Sequence, residues 1–141
     1  MQLGTVRFLG TFLEDPTDLP APVVAFVARQ LGLEGTSGLP QYRESETRRD
    51  HIAEIQCWYG YRDFHEPSEY FGLVRWLYTR AWISAERLSV LFDLATTRLA
   101  ERKVLLPGVT VLARLVARVR DRAAARLWRT LAALPTPEQR A

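Results

Sequence analysis

The strongest constraint on this chain is the segment from Val109 to Leu134, VTVLARLVARVRDRAAARLWRTLAAL. Leu112, Leu115, Val116, Val119, Ala123, Leu127 and Leu131 recur at three- and four-residue steps, the signature of one apolar helix face. Arg114, Arg118, Arg122 and Arg126 recur every fourth residue, with Arg129 three further on. At about 100° per residue these five share one flank of the same helix. Such a helix buries one side and offers a guanidinium stripe that suits a polyanion. The plainer reading is a solvated flank in which Arg118 pairs with Asp121 and the arginine stems cover apolar neighbours.

Charge is distributed unevenly. Residues 1–90 carry 9 basic and 12 acidic side chains, and residues 91–141 carry 10 and 4, within a net charge of +3. That asymmetry favours a nucleic acid or a charged surface as partner of the basic part. All basic residues but Lys103 are arginine, a bias that a GC-rich genome also produces. No apolar run reaches the ~18 residues that span a bilayer, and MQLGTVRFLG does not read as a signal peptide. A single cysteine, Cys57, excludes an internal disulfide. A cytoplasmic protein is the simplest expectation.

The rest of the pattern is helical, without strand-like alternation or an internal repeat. An apolar stretch from Leu3 to Leu13 stops at Asp15-Pro16. Asp18 reads as the cap of a second helix that ends near Gly32, with Val23, Val24, Phe26, Val27 and Leu31 inward. A short helical turn is expected over Leu39–Glu44 and a helix over Glu46–Tyr59, with Ile52, Ile55 and Tyr59 inward and Gly60 as its stop. Pro67 opens the next helix, with Tyr70, Val74, Leu77, Tyr78 and Ala81 inward. Ser84 reads as the cap of another, carrying Leu88, Leu91, Phe92, Ala95 and Leu99. The expected fold is all-α, a compact domain of six or seven helices over 1–134, with 1–65 and 66–134 as candidate sub-units. Residues 135–141 read as the start of a following helix or linker.

The residues nominate no enzyme. His51, His65 and Cys57 show no metal-ligand spacing, and there is no phosphate loop, so no metal, cofactor or small-molecule substrate is expected. A Cys57–histidine nucleophile is weaker than a core cysteine. Glu44/Glu46 and Asp50/Glu54 read as solvated faces. Trp58, Trp76, Trp82 and Trp128 read as core and lid residues rather than stacking platforms for single strands. One feature besides the stripe suits DNA. The Glu46–Tyr59 helix opens with Thr47, Arg48, Arg49 and His51 behind two helices and a turn, which admits a helix-turn-helix in the first half.

Longer phrases carry more than spacing. They are GTVRFLGTF (4–12), AEIQCWYGYRDF (53–64), RWLYTRAWISAERLSVLFDLAT (75–96) and the run from Glu101 to Arg140. Together they resemble, in order and over essentially the whole chain, the N-terminal region of the transposases of the Tn-three family, replicative bacterial elements that move through cointegrates. The resemblance implies a helical region that recognises terminal inverted repeats. It places catalysis in a distant RNase H-type domain with a magnesium-binding acidic triad, to which no residue here corresponds. It also implies chain before the position of Met1 and a long chain after Ala141.

The function expected is therefore non-catalytic binding of double-stranded DNA at transposon ends. Arg114, Arg118, Arg122 and Arg126 would hold phosphates, and Arg48, Arg49 and His51 would read or border a groove. The alternatives are an interaction module that docks on other transposase domains or copies, and an inert gene remnant. No membrane partner is expected.

Overall fold

The structure is a computed structural model in which residues 1–34, 42 and 46–133 are described. Six α-helices and no β-strand lie among them: α1 (Gln2–Leu9), α2 (Ala21–Gln30), α3 (Glu46–Tyr59), α4 (Pro67–Ile83), α5 (Leu88–Glu101) and α6 (Val109–Ala133). The chain forms two compact units, Met1–Arg62 and Asp63–Ala141. The expected turn over Leu39–Glu44, apart from the helical Tyr42, lies outside the described residues, as do Leu134 and the final segment.

In the second unit, Asp63 turns the chain into α4. Its Oδ1 accepts the His65 N–H at 2.7 Å, while Glu66 Oε1 accepts the Asp63 N–H at 3.1 Å. This reciprocal turn sets Phe64 into the core and brings Pro67 to the first turn of α4, where its missing donor costs nothing. Leu73 and Leu77 of α4, Leu91, Ala95 and Leu99 of α5, and Leu112, Leu115, Val116 and Val119 of α6 close the core together with Val104. The α6 stripe is as expected from Leu112 to Ala123. Beyond it Leu127 is half-buried and Leu131 exposed, so the outer turns of α6 leave the core.

Several expectations need correction. The deepest face of α4 runs through Glu69, Leu73 and Leu77, with Tyr70, Val74, Tyr78 and Ala81 half-buried at its margins. Glu69 is only 4% exposed and is met by Arg102 Nε at 3.3 Å. Ser84 does not cap α5; it is the C-cap of α4, its N–H and Oγ both donating to the Arg80 carbonyl at 3.0 Å. α5 begins later, after Arg87, and Glu86 pairs with Arg80 at 3.1 Å. The C-terminal motif of α5 is complete: the Val104 N–H reaches the Leu99 carbonyl at 2.9 Å and the Lys103 N–H the Ala100 carbonyl at 3.0 Å. That motif needs a left-handed residue, and Lys103 takes it at φ 54.

In the first unit α1 is shorter than its apolar stretch. Gly10, at φ 74, returns its N–H to the Val6 carbonyl and stops the helix before Leu13. Asp18 caps nothing; Asp15 instead accepts the Thr17 N–H at 2.9 Å, and α2 starts after Pro20 without a side-chain cap. Of the expected α2 face, Val24 and Val27 are half-buried while Val23, Phe26 and Leu31 are exposed; Ala28 is the residue that is buried. Ile52 and Ile55 of α3 are half-buried, and the Arg7 guanidinium lies 5.1 Å over the Tyr59 ring. Gly60 ends α3 at φ 68, as its position implied.

Candidate nucleic-acid interface

The arginine stripe sits on α6 because its apolar face is held by α4 and α5. With Leu112, Leu115, Val116 and Val119 fixed in the core, Arg114, Arg118, Arg122 and Arg126 are turned to the surface, and all four are exposed. Each is displaced from the last by ~6 Å along the axis and ~40° around it, so the stripe winds slowly over about 18 Å. Arg120 and Arg129 add two further exposed guanidinium groups, against one acid, Asp121.

No ion pair involves any of these six among the described residues; the Arg118–Asp121 pair is not formed. Arg118 Nε leans on the Arg114 carbonyl at 3.4 Å and Arg129 Nε on the Ala125 carbonyl at 3.3 Å, long contacts that a better acceptor can displace. Arg126, Arg129, Thr130 and Ala133 border a shallow concavity on the outer turns. Trp128, on the same turns, is 70% exposed. The stripe is therefore a row of unneutralised, well-spaced cations with room for an extended anion.

The α3 trio is differently placed. Arg48 is half-buried, and its terminal nitrogen donates to the carbonyls of Leu13 and Glu14 at 3.0 and 2.7 Å. It thus fastens the segment after α1 to the start of α3. His51 Nδ1 lies 2.7 Å from the Tyr42 hydroxyl. Arg49 alone of the three is exposed without a protein partner among the described residues. Glu46, Asp50 and Glu54 recur every fourth residue on α3 and are exposed, so this helix is more acidic than its first turn suggests. The turn that a helix-turn-helix would need lies outside the described residues.

Other chemistry is sparse. No group of three metal-ligating side chains occurs among the described residues. Cys57 is exposed, not core, because the α3 face that carries it packs on nothing described. Trp58 is likewise 79% exposed, whereas Trp76 holds Arg98 at 4.8 Å over its ring and Trp82 stacks with Tyr78. No described helix is long and apolar enough to cross a membrane.

Residues 1–119 match a family model described as Domain of unknown function (DUF4158). The chain belongs to the DUF4158 family. This DUF4158 chain is 49% identical over 142 residues to the transposase for transposon gamma-delta of Escherichia coli strain K12, covering all of itself and 14% of that protein. It is 28% identical over 141 residues to the transposase for transposon Tn1546 of Enterococcus faecium and 29% over 141 to that of Tn501 of Pseudomonas aeruginosa, again 14% of each. The homology to transposases of the Tn-three family thus runs the length of the chain. The outer turns of α6, from Arg120 onward, lie past the DUF4158 match and inside the stretch shared with the gamma-delta protein.

Proposed function

We propose that this DUF4158 chain is the part of a transposase that holds duplex DNA at the terminal inverted repeats, and that it takes no part in the chemistry of strand transfer. One observation carries the proposal. In a chain homologous to transposases, α6 offers Arg114, Arg118, Arg122 and Arg126 exposed and without ion pairs among the described residues. Guanidinium forks match phosphate oxygens, and four or five such contacts would dominate affinity while reading no sequence. Sequence preference comes from α3, where Arg49 reaches a groove; Arg48 fixes the helix through Leu13 and Glu14, and His51, about 200° around the helix from Arg49, bonds Tyr42 on another face. The partner is double-stranded DNA in the bacterial cytoplasm, with no cofactor and no membrane.

Titration of a labelled duplex at rising salt tests this. Release of counterions from about four phosphates gives a slope of log affinity on log salt near −4; a slope near zero would remove the stripe from the interface.

A second reading, docking between copies, draws on Glu46, Asp50 and Glu54, whose four-residue spacing on α3 mirrors that of the α6 arginines. It requires salt-sensitive self-association without DNA in sedimentation.

A further inference from the structure

The first unit buries little for its size. Among its described residues Val6, Pro16 and Ala28 are the buried apolar side chains, while Phe8, Val23, Phe26, Leu31, Leu33 and Trp58 are exposed. A unit of this length needs to bury about 60% of its unfolded surface to stand alone. Of the exposed side chains, Leu31 and Leu33 line an open cleft of about 540 Å³, with Leu3 of α1, Val24 and Val27 of α2 and Ile55 of α3 among its other walls.

The cleft also has an unmet polar demand. Gln2, 7% exposed, lines it and donates from Nε2 to the Tyr42 hydroxyl at 3.2 Å; that hydroxyl in turn meets His51 Nδ1. Gln2 Oε1 is buried and has no hydrogen-bond partner among the described residues. A buried acceptor left unmade costs about 1–3 kcal/mol. An occupant that fits is apolar along most of its length and brings one N–H or O–H donor.

We propose that this cleft seats an amphipathic segment of the longer transposase polypeptide, which completes the core of the first unit and donates a hydrogen bond to Gln2 Oε1. Two facts favour that occupant over a small molecule. Exposed apolar side chains continue past the cleft on α2, at Val23 and Phe26, further than a compact ligand could cover. The chain is also 14% of the length of its relatives, so most of such a polypeptide lies outside it. A helix laid in an apolar groove is a common mode of peptide recognition. The proposal is independent of DNA binding.

The test uses overlapping peptides that tile the gamma-delta transposase outside the matched stretch, titrated into the 141-residue chain and followed by hydrogen exchange. In the chain alone, amides of α1–α3 should exchange far faster than those of α4–α6. One contiguous set of peptides should bind and slow exchange in α1–α3 only. Val27→Arg places a cation in the cleft and should abolish that binding. Gln2→Met keeps the volume, removes the acceptor and should weaken binding about tenfold. Should Val27→Arg unfold the first unit, Gln2→Met still decides. Equal protection of both units in the chain alone, no protecting peptide, or binding that neither variant changes would overturn the proposal. Self-association lost in Val27→Arg would overturn it too, making a second copy the occupant.

Discussion

The Arg48 guanidinium donates to the carbonyl oxygen of Glu14 at 2.7 Å, across 34 residues of sequence. Its neighbour Arg49, exposed on the same turn, makes no such bond among the described residues. The two should separate on substitution. Arg48→Ala removes charge-assisted bonds to two carbonyls and should destabilise the first unit by about 1–3 kcal/mol. Arg49→Ala should leave the melting temperature within experimental error and narrow the affinity gap between inverted-repeat and random duplex. Thermal melts with paired DNA titrations check both, and an unchanged affinity gap in Arg49→Ala would take that residue out of recognition.

The α6 stripe is tested by Arg118→Ala combined with Arg122→Ala. Both side chains are exposed, so stability should change by less than about 0.5 kcal/mol each. Affinity should fall for every duplex alike, and loss of two phosphate contacts should flatten the salt slope by about 1.8. A double variant with the parental slope would show that the phosphates lie elsewhere.

Lys103 holds the left-handed position that ends α5, at φ 54. A Cβ is strained there and glycine is not. Lys103→Gly should therefore raise the stability of the second unit by about 0.5–1 kcal/mol, read as a higher denaturation midpoint. A lower midpoint would mean that the lysine side chain contributes more than its backbone costs.

The fold clearly shifts the acidity of Asp63. The hydrogen bond from the His65 N–H is the chief cause, with the His65 ring adding to it, and together they hold the carboxyl below its ordinary range despite some burial. A lowered folded value means that the ionised form stabilises the native state. That contribution is present above the unfolded value of 3.8 and fades as pH falls through the folded one. In Asp63→Asn, stability at neutral pH should drop slightly and lose part of its acid dependence below about pH 4. An unchanged acid limb would mean that the turn before α4 does not depend on the charge.

The fold class and the α6 face were legible because a helix over 25 residues repeats its pattern often enough to fix the buried side. Shorter helices gave less. On α4 the true inward line passes through Glu69, a residue that looks solvent-facing until Arg102, 33 positions away, is placed beside it. Ser84 looks like a cap for the helix it precedes, yet it belongs to the one it follows, because the Arg80 carbonyl was already in reach. In the candidate site the α6 arginines were legible as a stripe, since spacing alone sets their flank. Arg48 was not distinguishable from Arg49, because its partners are backbone carbonyls that no local pattern reveals. The exposure of Cys57 and Trp58 follows from the sparse core of the first unit, which periodicity within single helices does not report.

The most direct measurement is fluorescence anisotropy of the 141-residue chain with a labelled duplex carrying the inverted repeat of its element, against a scrambled duplex, at two salt concentrations. Tighter binding to the repeat, with affinity for both duplexes falling steeply as salt rises, is the expected result. Absence of binding to either duplex at the lower salt would contradict a DNA-holding role.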